Sequence, residues 1–226
     1  MHHHDTLDDL DALVQSRSIL RHPFYVAWQQ GDLTRHQLAT YARVYWPHVC
    51  AFPSYLESAA GTTDDPVSRA TLENNLDDER SNPKPHPELW LDFAEALGQR
   101  RQSVIDAETN HSAARMVETF TRLARSSTAE GVAALYAYES QQVAVSSQKR
   151  DGLCDHYGID SEPALAYFDV HAKADVLHSQ GERDVLQRCL DNGVDPATIL
   201  RAANEALNAY WGLLDGVCEA ADITTA

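Results

Sequence analysis

Three side chains of the kind that bind metals recur at helical spacing near the end of the chain. His171, Asp175 and His178 stand at positions i, i+4 and i+7 of a segment with helical periodicity, so all three project from one face of one helix. Burying such groups without partners would be costly in free energy. A bound cation would offset that cost, and imidazole combined with carboxylate favours iron or manganese over calcium or magnesium. The chain must therefore fold so that further ligands face this stripe.

Three further candidate ligands lie on other predicted helices. Glu79 ends one helix and His86 begins the next, and the turn over 81–85 can direct both side chains to one point. Glu139 lies within an apolar helical stretch, where a carboxylate requires a buried partner. Facing helices with inward-pointing Glu and His build two-metal centres in helical bundles. The six residues therefore predict two metal ions with open positions for oxygen or substrate.

The remainder of the sequence predicts an all-α protein. Apolar residues recur at helical spacing, and no segment shows the alternation of a β-strand. Asp65-Pro66 and Asp195-Pro196 open helices, and the stretch 100–109 is typical of a loop. With 226 residues, 43% of them hydrophobic, the chain is long enough for one domain with a substantial core. We predict a compact bundle of about eight helices over residues 1–226, in which residues 1–4 are a tag remnant, a disordered start or native sequence.

Proline and glycine predict interruptions in the long helices. Pro47 and Pro53 are expected to kink or break a helix over about 35–60. Gly181 is expected to end the helix that carries the three ligands, before a short helix over 183–191. Three histidines are expected to lie at the surface or to have hydrogen-bond partners: His48, His111 and His156.

The amino-acid composition limits the classes of binding partner and the cellular compartment that we expect. A formal net charge of −16 makes the surface repel phosphate backbones and anionic membranes, so we expect neither nucleic acid nor a membrane as partner. No run of 18 apolar residues is present. The four cysteines are widely scattered and form no CxxC pair, which predicts reduced thiols and a cytoplasmic location.

Residue blocks along nearly the whole chain resemble the CADD family, named for the chlamydial protein associating with death domains. The blocks are HPFYV at 22–26, GDLT at 31–34, AFP at 51–53, NLxDE at 75–79, GVAALY at 131–136, YESQ at 138–141, YF at 167–168 and ADV at 174–176. This family belongs to the haem-oxygenase-like, TenA/PqqC-like superfamily of helical bundles. All six metal-ligand positions of the family are matched. The resemblance implies two iron ions or an iron–manganese pair, dioxygen as co-substrate, an external reductant and a homodimer.

The resemblance also implies an unusual activity. CADD-like proteins are linked to the oxygen-dependent formation of p-aminobenzoate for folate biosynthesis, with the protein's own side chains as substrates in a single turnover. The family's ring-donor tyrosine matches Tyr25, and its amine-donor lysine matches Lys149. Other tyrosines near the family's metal site match Tyr41, Tyr138 and Tyr167. A strong oxidant is required, because no acid–base group breaks the carbon–carbon bond that joins a tyrosine side chain to its backbone.

Three other functions remain open at the level of sequence. A multiple-turnover di-iron oxidase would act on an external amino-acid or fatty-acid substrate, and it would consume more than one equivalent. A protein-interaction module without enzymatic activity would make no use of six ligands. A metal-free, PqqC-like protein would act on an organic substrate and would bind no transition metal tightly.

Overall fold

Ten α-helices and one 3-10 turn make up residues 3–224, the part of the chain that this computed structural model describes. No strand occurs in this range, and the all-α prediction is confirmed. The sequence predicts that residues 1–4 are a tag remnant, a disordered start or native sequence. Two of these residues, Met1 and His2, lie outside the described range. The elements are α1 (His3–Ser16), the 3-10 turn (Ile19–Arg21), α2 (Pro23–Gln30), α3 (Arg35–Gly61), α4 (Pro66–Ser81), α5 (His86–Ala96), α6 (Arg101–Ile105), α7 (His111–Ser126), α8 (Thr128–Tyr157), α9 (Glu162–Asp191) and α10 (Pro196–Ala220).

The long helices continue through the residues expected to interrupt them. Pro47 and Pro53 lie inside α3 and do not end it, because α3 buries side chains along its whole length and that packing outweighs the lost backbone hydrogen bonds. Gly181 lies inside α9, so the expected break is wrong. A Cβ atom there would lie 2.7 Å from Thr71 Cγ2, so the glycine permits α4 to approach α9 closely. The expected loop over 100–109 contains the short helix α6.

Side-chain caps fix the helix starts that orient the core. Thr34 forms a capping box at the start of α3, and Asp65 and Asp195 accept hydrogen bonds from the first turns of α4 and α10. His22 caps α2 through Nδ1, and its Nε2 lies 3.1 Å from Asp215 Oδ1. Both nitrogens of this histidine are therefore engaged in structural contacts.

Helix α8 lies at the centre of the arrangement and contacts α9, α10, α7 and α3. Its apolar stretch, residues 132–138, is buried, so the polar groups within α8 are held in the interior. Helices α4 and α5 also pack against α9. The four helices that carry the predicted ligands, α4, α5, α8 and α9, thus meet at one place. Within residues 3–224, no helix is long and apolar enough to cross a membrane.

Candidate metal centre

The six predicted ligands lie in two buried clusters. The first cluster contains Glu79 from the end of α4, His86 from the start of α5 and His171 from α9. The second cluster contains Glu139 from α8 together with two residues of α9, Asp175 and His178. Within each cluster, the candidate donor atoms all lie within 4.8 Å of one another. The structure thus places three imidazole or carboxylate groups at each of two points.

In the first cluster, the two imidazoles face one carboxylate oxygen. His86 Nδ1 lies 2.8 Å and His171 Nε2 lies 3.6 Å from Glu79 Oε1. The outward nitrogens meet backbone carbonyls: His86 Nε2 is 3.1 Å from the Asn82 oxygen, and His171 Nδ1 is 2.7 Å from the Tyr167 oxygen. Such outer hydrogen bonds are the usual device by which proteins fix the tautomer and the ring orientation of a ligating histidine.

The second cluster is built in the same way, except that the outward nitrogen of its histidine meets a carboxylate and not a backbone carbonyl. His178 Nδ1 lies 3.4 Å from Glu139 Oε1 and 3.4 Å from Asp175 Oδ1. Its outward Nε2 lies 3.1 Å from Asp78 Oδ2. Asn75 Nδ2 donates to both oxygens of Glu139 at 3.1 Å and so holds this carboxylate in place. One imidazole and two carboxylates are therefore oriented toward a shared space.

Several inward-facing atoms of these clusters have no hydrogen-bond partner among the residues that the structure describes. They include His86 Nδ1, which approaches Glu79 without hydrogen-bond alignment, His178 Nδ1 and Asp175 Oδ2. Buried polar atoms without partners are rare in folded proteins. A cation at each cluster would satisfy these atoms at once, and the donor set of imidazole and carboxylate suits a first-row transition metal. The residues present therefore fit a two-metal centre.

Glu182 is a further acidic residue at the second cluster that sequence reasoning missed. It lies one helical turn after His178 on α9, and only 1% of its surface is exposed. Within residues 3–224, neither of its carboxylate oxygens has a hydrogen-bond partner. Burial raises the pKa of Glu182 well above its usual value, and the nearby carboxylate of Glu139 acts in the same direction. The spacing 171, 175, 178, 182 continues one helical face, so the sequence contained the signal for it.

The clusters hold opposite charges close together in the protein interior. Burial alone would raise the pKa of Glu79, but the neighbouring His171 and His86 outweigh it and lower this pKa to about 2. Burial would lower the pKa of His171, yet Asp175 and Glu79 raise it to about 9. For His178, Asp175 and Glu139 overcome the effect of burial and raise the pKa to about 11. Without metal, His171 in the first cluster and His178 in the second therefore carry a second ring proton, and with it a positive charge, near neutral pH.

Metal binding is expected to release these protons. Histidine coordinates a metal only through a neutral nitrogen, so an incoming ion must displace the proton from His171 and from His178. Because both pKa values are raised, His171 holds its second proton below pH about 9 and His178 below pH about 11. The apparent affinity for the metal should therefore rise with pH, by up to about tenfold per pH unit for each proton released. Anaerobic calorimetric titration with Mn²⁺ in buffers of different ionisation enthalpy measures the release. Binding without proton release at neutral pH would contradict the assignment of these histidines as ligands.

A cavity of about 10 Å³ adjoins both clusters, with room for about one water-sized molecule. Tyr138 and Tyr167 line it, as do Glu79 and Glu139, one carboxylate from each cluster. His48 also lines it, has no exposed surface, and finds no hydrogen-bond partner for either ring nitrogen in the described part of the chain. The expectation of a surface or satisfied position is therefore wrong for His48, because it stands on the core-facing side of α3, and burial lowers its pKa to about 3. His111 and His156 are exposed, as expected.

The predicted donor residues form a separate buried cluster. Lys149 Nζ donates to the Tyr41 hydroxyl at 2.8 Å and lies 5.0 Å from the centre of the Tyr25 ring. The hydroxyls of Tyr25 and Tyr41 are 3.5 Å apart. Burial lowers the pKa of Lys149 well below its usual value, which favours the neutral amine, and burial raises the pKa of both tyrosines, which keeps them protonated. These three residues are not among those that line the small cavity, whereas Tyr138 and Tyr167 are.

Solved structures share this fold. A TenA homologue from Pseudomonas syringae pv. tomato superposes with a TM-score of 0.80 at 17% sequence identity, over 96% of this chain and 92% of that chain. A CADD-like protein from Nostoc punctiforme superposes with a TM-score of 0.73 at 17% identity, over 97% of each chain. The helical arrangement and the site together define a haem-oxygenase-like protein with two buried clusters of histidine and carboxylate.

Sequence comparison places the chain more narrowly. A family model described as iron-containing redox enzyme matches residues 39–211. The 4-aminobenzoate synthase of Chlamydia muridarum is 38% identical over 216 residues, which cover 95% of this chain and 91% of the relative. The 4-aminobenzoate synthase of Nitrosomonas europaea is 37% identical over 221 residues, covering 93% and 89%. The chain belongs to the family of iron-containing redox enzymes that includes these relatives, and the resemblance to CADD is confirmed. It is therefore an oxidoreductase.

Proposed function

We propose that this protein is a 4-aminobenzoate synthase that consumes its own side chains: the ring comes from Tyr25 and the amine from Lys149, in a single turnover that serves folate biosynthesis. The observation that carries the proposal is the setting of Lys149. Within residues 3–224 this buried lysine forms no ion pair with a carboxylate; instead its Nζ lies 5.0 Å from the Tyr25 ring centre. The relatives named 4-aminobenzoate synthase, at 36% to 38% identity, support the same activity.

Two metal ions would be held by the residues of the two clusters. Glu79, His86 and His171 would bind one ion, and Glu139, Asp175 and His178 the other, with Glu182 available as an additional carboxylate of the second site. When bound, the ions supply the electrons that reduce dioxygen to an oxidant able to take a hydrogen atom from a phenol. Whether the ions are two irons or an iron–manganese pair stays a prediction, as do the homodimer and the cytoplasmic location.

The donor cluster is arranged for an amine to reach the ring. A lysine is nucleophilic only as the neutral amine, and complete burial favours that form of Lys149. Its hydrogen bond to Tyr41 fixes the position of Nζ beside Tyr25. None of the three side chains is exposed by more than 2%. Water is thus excluded from the place where ring and amine would join, which protects a reactive intermediate from hydrolysis.

The size of the cavity at the clusters favours an internal substrate over an external one. About 10 Å³ cannot contain an amino acid or a fatty acid, since ligand pockets usually measure several hundred Å³. A surface cleft of about 260 Å³, lined among others by Asn75, Asp78, His178 and Glu182, reaches the second cluster from outside. The carboxylate of Asp78, whose side chain is 41% exposed, lies in this cleft and attracts cations. The cleft therefore provides an entry path for metal ions, which a buried site requires.

Isotope labelling tests the proposal directly. Protein made with ring-labelled tyrosine and amine-labelled lysine is loaded anaerobically with Fe²⁺, with or without Mn²⁺, and then given dioxygen and a reductant. We expect at most one equivalent of 4-aminobenzoate carrying both labels, with matching losses in the peptides that contain Tyr25 and Lys149. Unlabelled product, or product in excess of the protein, would point to an external substrate. A metal-filled protein that forms no 4-aminobenzoate would contradict the proposed activity.

A further inference from the structure

His48 is a fully buried histidine at the small cavity that adjoins the two clusters. It stands on α3, none of its surface is exposed, and neither ring nitrogen has a hydrogen-bond partner within residues 3–224. Buried polar side chains without partners are rare, because burial takes away the hydrogen bonds that the group makes to water. An imidazole that served only packing would therefore be a poor residue for this position.

Aromatic rings surround the imidazole of His48. Burial lowers the pKa of His48 to about 3, so the ring is neutral near neutral pH. A neutral imidazole carries one N–H donor and one acceptor nitrogen. His48 therefore holds an uncharged hydrogen-bond donor inside an aromatic shell. Five ring centres lie 4.8 to 5.8 Å from that of His48, those of Tyr45, Phe52, Tyr55, Phe120 and Tyr138.

The cavity beside His48 adjoins both candidate metal sites. Its volume of about 10 Å³ has room for about one water-sized molecule, and Glu79 and Glu139 line it, one carboxylate from each cluster. Ionised carboxylates accept hydrogen bonds and donate none. A small molecule in this space would thus meet acceptors from both clusters, and a donor has to come from another lining residue.

The hydroxyl of Tyr138, which also lines the cavity, does not donate into it. Tyr45 gives its own hydrogen to the Tyr210 hydroxyl at 3.0 Å. Tyr45 is therefore the acceptor in its 2.9 Å contact with Tyr138, and the hydrogen of Tyr138 points toward Tyr45. A hydroxyl has a single hydrogen, so Tyr138 has none left for a molecule in the cavity.

His171, another lining residue, has both ring nitrogens engaged. Its Nδ1 lies 2.7 Å from the backbone oxygen of Tyr167, and its Nε2 faces the first cluster, where it would bind the metal. Two donors remain for a molecule in the cavity, the N–H of His48 and the hydroxyl of Tyr167. Tyr167 is 6% exposed and His48 not at all, so the imidazole has the greater need of a partner in the cavity.

We propose that His48 is a catalytic residue, which donates a hydrogen bond to dioxygen in the cavity between the two clusters. As dioxygen gains electrons, its oxygen atoms become negative and accept hydrogen bonds more strongly, so a donor fixed beside them stabilises the reduced form. The proton stays on His48, because its loss would leave a buried anionic ring. The inference rests on the two-metal centre and the use of dioxygen in the proposed function, and it is independent of the source of the ring and the amine.

Nitric oxide, a stable substitute for dioxygen at Fe²⁺, makes this hydrogen bond measurable. Protein loaded anaerobically with Fe²⁺ is exposed to nitric oxide, and infrared spectroscopy records the N–O stretching band after equilibration in H₂O and in D₂O. A hydrogen bond from an exchangeable N–H shifts this band on deuteration. We expect the shift in the unsubstituted protein, its loss in His48→Phe and its retention in Tyr55→Phe. Tyr55 belongs to the same aromatic shell, its hydroxyl has no partner among the described residues, and it is not among the residues that line the cavity.

Two spectroscopic outcomes would overturn the proposal. One is an equally large deuterium shift in His48→Phe. The other is a shift that persists in His48→Phe and disappears in Tyr167→Phe, which would assign the donor to Tyr167. If phenylalanine at position 48 prevents metal loading, His48→Leu, whose side chain is smaller than the aromatic ring, takes its place.

Single-turnover kinetics separate the role of His48 from the proposed function. Dioxygen uptake by the Fe²⁺-loaded protein should slow by about tenfold or more in His48→Phe and stay unchanged in Tyr55→Phe. Neither variant should lose metal content or melt at a lower temperature, since neither change removes a hydrogen bond found within residues 3–224. Slower uptake with the deuterium shift intact would show that His48 only packs against the site, which would overturn the proposal. A His48-dependent shift in protein that forms no 4-aminobenzoate would overturn the proposed function and leave the hydrogen bond standing.

Discussion

Tyr25→Phe is expected to abolish the formation of 4-aminobenzoate while both metal ions still bind. Phenylalanine has no hydroxyl hydrogen for an oxidant to remove, so the ring cannot be activated, and we expect a loss of about 100-fold or more. The fold should tolerate the change, because the ring volume is retained and the lost hydroxyl contact to Tyr41 spans 3.5 Å, so its removal should cost about 1 kcal/mol or less. Product is measured by mass spectrometry, and metal content by elemental analysis of the same samples.

The Tyr25 result is interpretable only against a matched change elsewhere. Tyr55 is 1% exposed, and its hydroxyl has no hydrogen-bond partner in the range 3–224. Tyr55→Phe removes this buried hydroxyl and should leave both yield and metal content unchanged. If Tyr25→Phe retains its yield, the ring comes from a different tyrosine. Tyr41 would then be the next candidate, since its hydroxyl accepts the hydrogen bond from Lys149.

The positions of the candidate ligands on α9 were predictable because a helix repeats its faces at known intervals. The separations of four and three residues between His171, Asp175 and His178 place these side chains on one stripe whatever the rest of the chain does. Helix α9 confirms the stripe and continues it to Glu182, which obeys the same spacing. Glu79 faces that stripe because of the way α4 packs against α9, and residue spacing alone does not reveal this packing. That part of the prediction depended on the resemblance.

Other parts of the site have no local signature in the sequence. The outer partners of His86 and His171 are backbone carbonyls, which every residue possesses. Lys149 and Tyr41 are 108 positions apart, and only the packing of α3 against α8 brings the amine and the hydroxyl together. At Gly181 a local signal was misleading. The low helix propensity of glycine predicted a break in the helix, but this glycine serves the close tertiary approach of α4 to α9.

Lys149→Met is expected to stabilise the folded protein and at the same time to remove the amine donor, so that no 4-aminobenzoate forms. Burial lowers the pKa of Lys149 well below its usual 10.5, so folding favours the neutral amine over the charged form that the unfolded chain holds. Each pH unit by which the solution lies below 10.5 adds up to about 1.4 kcal/mol to the free energy that this deprotonation costs. The hydrogen bond to Tyr41 returns about 1 kcal/mol of this. Methionine, of similar length and without charge, avoids the cost.

The sign of the pH dependence makes the Lys149 prediction testable without any catalytic assay. Between the lowered folded pKa and the unfolded value near 10.5, the unfolded chain binds one more proton than the folded protein, so the stability of the unsubstituted protein rises with pH. The advantage of Lys149→Met should therefore shrink as the pH rises, by up to about 1.4 kcal/mol per pH unit, as measured by urea unfolding between about pH 7 and 9. Lys173→Met, at an exposed position of α9, should show no such trend. A constant difference for Lys149→Met across this range would mean that the folded protein keeps this amine charged, and a charged amine could not supply nitrogen to the ring.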